Sequence, residues 1–228
     1  MLFYDYYSIL IILPLIILSL IIQSILNMTY NKYSKIVNSK GMTGHDIAQM
    51  ILTNAGIYDV TIECTNGYLS DHYDSIKKVI RLSSNVYNGS SIASIGIAAH
   101  ETGHALQYAA QYYPIKLRSA INGITNFSST ILYFLIILSL ISRLPGICNF
   151  AVVCFLVILI FQLLTLPVEF NASARAVENI KNMGYNETDI TGVKRILTAA
   201  AMTYVAAMLI SLGQMIAFML RTRGRNDN

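Results

Sequence analysis

Residues 91–110 read SIASIGIAAHETGHALQYAA, and everything else in the chain takes its meaning from them. The run holds His100-Glu101-Thr102-Gly103-His104, an H-E-x-x-H sequence with no proline and good helix formers on both sides. Residues four apart stand one above the other on a helix face, so His100 and His104 can aim ring nitrogens at one ion. Two neutral imidazoles suit zinc. Glu101, one position on, is placed to take a proton from water that the metal activates rather than to bind the metal itself. The plain alternative is a pair of core histidines beside a solvated glutamate, but histidine is scarce here, with four in 228 residues. Gly103 adds weight. A glycine inside a helix costs about 1 kcal/mol against alanine, so it predicts that another segment or a ligand passes close by.

Composition sets the surroundings. Hydrophobic residues make up 54% and charged residues only 12% of the chain, and the mean hydropathy is +0.52. Soluble domains carry about 25% charged residues, so an integral membrane protein is expected. Four stretches have no charged residue over a length that crosses a bilayer: 6–31, 119–142, 144–168 and 196–220. The first reads as a permanent anchor rather than a cleaved signal, because Asp5 stands where basic residues belong and no small-residue cleavage site follows. Tyr4, Tyr6, Tyr7, Tyr30 and Tyr33 read as interfacial belts, and Pro14 as a kink.

The net charge of +4 does not point to nucleic acid, since the basic residues are spread along the chain and mostly flank apolar runs. They report orientation instead. Twelve of the sixteen Lys and Arg residues fall in 32–118 and 169–195, and the other four are Arg143, Arg221, Arg223 and Arg225. By the positive-inside rule the side with the motif faces the cytoplasm, which predicts a multi-pass plasma-membrane protein. The three cysteines imply no disulfide framework.

The resulting organisation is an N-terminal anchor (1–31), a polar segment with the motif helix (32–118), a transmembrane hairpin (119–168), a polar helix (169–195), and a last span with a basic tail (196–228). Within 32–118, Thr43-x-x-Asp46 and Gly56 mark the start and stop of a short amphipathic helix. Residues 59–64, 68–73 and 76–82 read as two or three short strands, with Asn66-Gly67 as a tight turn. An exposed edge of such a sheet can hold a peptide extended by backbone pairing. Ser91 is the expected N-cap of the motif helix, and Pro114 ends the helical region beyond it. At 1.5 Å per helical residue the metal then lies within roughly 20 Å of the bilayer surface.

Catalytic zinc takes three protein ligands and leaves one position open. The candidates on the motif side are His45, Glu63, Cys64, Asp71, His72 and Asp74 before it, and Glu169, Glu178, Glu187 and Asp189 after it. The hairpin 119–168 returns the chain at Leu166-Pro167, at about the depth where the motif helix entered, which favours Glu169. Pro167 suits the first turn of a new helix that Gly184 closes. An ordinary first-turn carboxylate, favoured by the helix dipole, explains Glu169 equally well on these grounds. Arg175, Glu178 and Lys181 read as a solvated helix face. His72, in Asp71-His72-Tyr73-Asp74, is either a donor to the oxyanion that develops during attack, a cap on the resting metal, or a turn residue held by its aspartates.

The segments Leu69–Asp74 (LSDHYD), Gly96–Gln107 (GIAAHETGHALQ), Lys116–Ala120 (KLRSA) and Leu166–Ala176 (LPVEFNASARA) resemble the YugP family of neutral zinc metallopeptidases, which are bacterial membrane proteins. The similarity runs from the first span to the last. More distantly the layout is similar to HtpX-type membrane proteases, in which a transmembrane hairpin separates H-E-x-x-H from a glutamate ligand. The resemblance implies Zn2+ held by His100, His104 and Glu169, with Glu101 as general base and acid. One position departs from it: the family reads Glu-Phe-Asp where this chain reads Glu169-Phe170-Asn171. If that residue orients a zinc-binding histidine, an amide raises the ring's basicity less than a carboxylate does.

The expectation is a mainly α membrane protein: four transmembrane helices with a small α+β zincin-like catalytic unit at the membrane surface. It acts as a zinc endopeptidase on peptides or juxtamembrane segments of membrane proteins. The rival is a non-hydrolytic metal-binding scaffold or transporter, which has no need of Glu101 and usually carries ionisable residues inside its spans.

Overall fold

The computed structural model describes residues 2–67, 70–141 and 145–226. The link around Arg143 and the beginning of the 68–73 stretch lie outside the described residues, as do the side chains of Tyr4, Tyr6 and Tyr7. The described elements are α1 (Leu2–Tyr33), α2 (Gly44–Asn54), β1 (Thr61–Thr65), β2 (His72–Asp74), β3 (Val79–Ser83), α3 (Ser84–Tyr87), α4 (Ile92–Ala109), α5 (Tyr113–Ile141), α6 (Pro145–Asn182) and α7 (Glu187–Asn226). The chain is mainly helical, and α1, α5, α6 and α7 are long and apolar enough to cross a membrane.

Two compact units share these four helices. One comprises residues 24–116 and 167–201. Its helix α2 begins as the residues demand: the Thr43 hydroxyl accepts from the Asp46 N–H, and the Asp46 carboxylate accepts from the Thr43 N–H. Gly56 (φ +68°) follows its end, and Gly184 (φ +72°) follows α6, both in the left-handed region where glycine is unstrained. Ser91 caps α4 by accepting from the Ser94 N–H.

Helix α4 lies between two apolar clusters, which is why it is apolar nearly all round. Ile92, Ile95 and Ala99 pack with Ile47 and Ile51 of α2, Ile180 of α6, and Val193, Ile196 and Leu197 of α7. Ala98 and Ala105 face Leu52, Ile80, Leu82 and Val86. Each fully buried Ile or Leu contributes about 1.5–3 kcal/mol of transfer free energy, so α4 is fixed from both sides. What remains open on it is the half-buried face with His100, Glu101 and His104.

The sheet has the order β1-β3-β2. β1 pairs with β3 in parallel, Glu63 opposite Arg81, whereas β2 pairs with β3 antiparallel, His72 opposite Arg81. Asn66-Gly67 therefore leads out of β1, and among the described residues the one hairpin is β2–β3, turned by Lys78 at φ +53°. β2 stands at an edge beside α4, where the Tyr73 and Tyr108 rings meet at 5.6 Å.

Three expectations need correction. Pro167 does not open a new helix: it lies inside α6, and the polar helix expected over 169–195 is the end of α6, a turn, and the start of α7. Pro114 likewise does not end the motif helix. That helix stops at Ala109, Gln111 turns the chain at φ +53°, and Pro114 occupies the first turn of α5, where a missing N–H costs nothing. Tyr30 and Tyr33 do not form an exposed belt. They are buried at 8% and 6% exposure in the first apolar cluster, where the Tyr33 hydroxyl accepts from Arg195 Nη1 at 3.4 Å.

The other unit comprises residues 1–23, 117–166 and 202–228. Leu132, Leu135, Phe155 and Phe218 form its core, and Ser and Thr hydroxyls bond back to their own helix: Thr125 to the Ile121 carbonyl and Thr165 to the Phe161 carbonyl. All three cysteines are free, as expected.

Candidate metal centre

Helices α4 and α6 meet at Gly103. A Cβ there would lie 2.7 Å from the Ala172 carbonyl oxygen, so only glycine lets the two backbones approach this closely. The passing segment that the motif glycine foretold is α6. That approach brings Glu169 of α6 against the motif face of α4. Its Oε2 lies 3.4 Å from His100 Nε2 and 3.7 Å from His104 Nε2. The two rings stand edge-on, with centroids 4.8 Å apart.

Among the described residues, His100, His104 and Glu169 form the group whose ligand atoms converge, all within 4.8 Å of one another. Zinc bonds of about 2.05 Å in tetrahedral array have edges of roughly 3.3 Å, close to the 3.4 Å and 3.7 Å that separate the carboxylate from the two rings. Two imidazoles and a carboxylate are also the donor set of a catalytic rather than a closed structural site. Glu169 is 2% exposed. A carboxylate so deeply buried needs cationic company, which a metal or a protonated histidine supplies.

The far side of each ring is held. His100 Nδ1 lies 3.2 Å from Ser173 Oγ, and His104 Nδ1 lies 3.0 Å from Gln107 Oε1. Gln107 Nε2 donates to the Val168 carbonyl at 2.8 Å and to Asn171 Oδ1 at 3.0 Å. Asn171 thus touches no histidine directly. Arg175 donates from Nε to the same Asn171 oxygen at 2.8 Å, so it belongs to this network and not to the solvated face on which Glu178 and Lys181 stand. Burial opposes charge on His104, but the Glu169 carboxylate, the charge of Glu101 and the Gln107 oxygen outweigh it and hold the ring's pKa above the ordinary histidine value.

Several of the other expected candidates are occupied elsewhere, and Cys64, Glu178 and Glu187 are exposed. His72 is exposed on β2 and its Nδ1 donates to the Ser70 carbonyl at 2.8 Å; it is not in the converging group. Its neighbour Asp71 accepts from the Ser83 N–H and hydroxyl, with burial pushing its carboxyl pKa up. Asp74 accepts from the Ile76 and Lys77 N–H groups and from Arg81, which also donates to Glu63. His45 stacks on Tyr87 at 4.7 Å, and Asp189 accepts from the Ser39 N–H at 3.0 Å. Gln107 and Ser173 were not foreseen as site residues. The available signal was spacing: Gln107 follows His104 by three positions and Ser173 follows Glu169 by four, one helical turn in each case.

Comparison with known proteins gives the same direction. A family model described as "Putative neutral zinc metallopeptidase" matches residues 8–223. The chain is 42% identical over 201 residues to the "Putative membrane protease YugP" of Bacillus subtilis (strain 168), covering 87% of this chain and 89% of that protein. No solved structure matches. With a family match over nearly its whole length and a converged His100–His104–Glu169 group inside the matched region, the chain belongs to the neutral zinc metallopeptidase family.

Proposed function

We propose that the protein is a membrane-embedded zinc endopeptidase that cuts peptide bonds close to the cytoplasmic face of the plasma membrane. The observation that carries the reading is the convergence of His100, His104 and Glu169 beside Glu101 on one rigid helix pair. Zinc held by these three side chains supplies Lewis acidity toward water and the substrate carbonyl.

Glu101 does the proton work. It is half-buried on the open face of α4, and its charge is felt at His104. It takes the proton of the attacking water and passes it to the leaving amine, a role that needs a carboxylate and not a ligand. The zincin-like segment 32–118 supplies the substrate site, with β2 offering its outer edge to an extended peptide by backbone pairing. His72 is carried on that strand; with Nδ1 donating to Ser70, it can donate to the carbonyl oxygen under attack only through Nε2 of a doubly protonated ring. Asn171 acts on the site from behind the ligands. Substrates are peptides and juxtamembrane segments of other membrane proteins.

The test is zinc content and casein-peptide hydrolysis of the purified protein in detergent beside Glu101→Gln. Near one zinc per chain in both, with hydrolysis lost only in the variant, is the expected result. Zinc in both and cleavage by neither would favour a metal-binding scaffold instead.

A further inference from the structure

Gln107 is fully buried, at 0% exposure, and its amide meets three groups: the Val168 carbonyl, Asn171 Oδ1 and His104 Nδ1. A backbone carbonyl can only accept. The NH2 of Gln107 must therefore point at α6, and its Oε1 must face His104. That oxygen also can only accept, so His104 carries its proton on Nδ1 and turns the Nε2 lone pair toward Glu169. A proton position on one helix is dictated by a main-chain oxygen on another.

The same reasoning fixes Asn171. The Arg175 guanidinium has no acceptor, so the atom of Asn171 that it meets at 2.8 Å is the oxygen. Gln107 then finds an acceptor for each of its two amide hydrogens, Val168 O and Asn171 Oδ1. Were Asn171 reversed, two NH2 groups would face each other. Were Gln107 reversed, it would donate to Nδ1 and select the tautomer with its proton where an ion must bind. Ser173 imposes no such choice on His100, because a hydroxyl donates or accepts equally well.

We infer that Gln107 is a positioning residue that holds His104 as its Nδ1–H tautomer for metal binding, and that Asn171 and Arg175 lock the direction of its amide. The inference rests on the reading of His100, His104 and Glu169 as the metal site. An aspartate at position 171 would present an oxygen to Arg175 and Gln107 in the same way.

Zinc affinity of the full-length protein in detergent, measured by competition with a chromophoric chelator, tests this without reference to turnover. Gln107→Leu weakens zinc binding by about 10–100-fold, the usual scale for losing a hydrogen-bond partner behind a ligand. Asn171→Leu weakens it less, and Asn171→Asp, which cannot be misoriented, stays within about threefold of wild type. In the Gln107→Leu background, Asn171→Leu adds nothing, because it acts only through Gln107. In the zinc-loaded wild type the His104 Nδ1–H is protected from exchange, and in Gln107→Leu it is not. Should the leucine variants fail to fold, Asn171→Ala and Arg175→Gln carry the same comparison. Additive losses, or a Gln107→Leu protein that binds zinc like wild type, overturn the inference and leave the metal site standing. A wild type that binds no zinc removes both.

Discussion

The unit of residues 24–116 and 167–201 and the unit of residues 1–23, 117–166 and 202–228 share four helices but hold themselves together differently. In the first, Ile47, Ile80, Leu82, Ile92 and Ile95 are fully buried, and hydroxyls and carboxylates reach across to other segments, as Ser39 does to Asp189 and Ser83 to Asp71. In the second, Ile9, Leu20, Phe127 and Phe134 face outward, and Thr125, Thr130 and Thr165 bond to their own helices. The difference is one of solvent. Water rewards burying the apolar side chains, whereas hydrocarbon rewards leaving them out and satisfying every polar group within the helix.

The largest expected effect falls entirely in the water-facing unit. On the role proposed for it, Glu101→Gln should lower peptide hydrolysis by about 10²–10⁴-fold with the thermal midpoint unchanged. A fall in both would show that the open face of α4 is structural.

Next come two tight glycines, one taken from each unit. Gly103→Ala sets a methyl against the Ala172 backbone, which cannot move aside, and should cost about 1–3 kcal/mol and weaken zinc binding as well. Gly213→Ala meets side-chain atoms, Leu15 Cδ1 first and Ile11 Cγ2 behind it, and no backbone within contact, and should change stability by less than about 1 kcal/mol. Equal shifts in thermal unfolding would erase the distinction between backbone and side-chain contacts.

Thr43→Ala removes the cap of α2 and should cost about 1 kcal/mol in denaturant unfolding, with no effect on the apolar unit. The smallest effect is a pH dependence. The Thr43 N–H and then its hydroxyl hold the Asp46 carboxyl below the ordinary value of 3.8. The folded state therefore binds this proton more weakly than the unfolded chain. Its contribution is complete above that value and disappears as pH falls through the folded pKa. For so exposed a group this amounts to a few tenths of a kcal/mol. Asp46→Asn should flatten the stability profile in that acid window, and an unchanged profile would remove the carboxylate from the cap.

Much of the first unit was legible because its signals are local. Thr43-x-x-Asp46, Ser91, Gly56 and Gly184 each act within one turn of themselves, and each does what its residue type predicts. The four spans were legible for the opposite reason, as long runs without charge. What escaped was non-local. Nothing near Thr61–Thr65 says that its partner is β3, in parallel, past β2. Pro167 reads as a helix start because it lacks an N–H, yet α6 absorbs that one missing bond. Tyr30 and Tyr33 look like membrane-surface tyrosines until α2, α4 and α7 close around them. In the candidate site, the motif displayed His100 and His104; the return of the hairpin left Glu169 level with an ordinary first-turn carboxylate, and the resemblance to the metallopeptidase family singled it out. Gln107 stayed hidden because its partners lie on a distant part of the chain.

That distance has a temporal side. Gln107 and Val168 are 61 positions apart, and Ser39 and Asp189 are 150 apart. A ribosome delivers both histidines of the motif well before it delivers Glu169, and the cluster that clamps α4 awaits Val193 and Ile196. For that interval the nascent chain has a metal-binding pair with no third arm and no fixed frame. The converging group and the frame that holds it are complete only once the chain has been made through Ile196, so order on α4 is completed by residues nearly a hundred positions downstream of the motif.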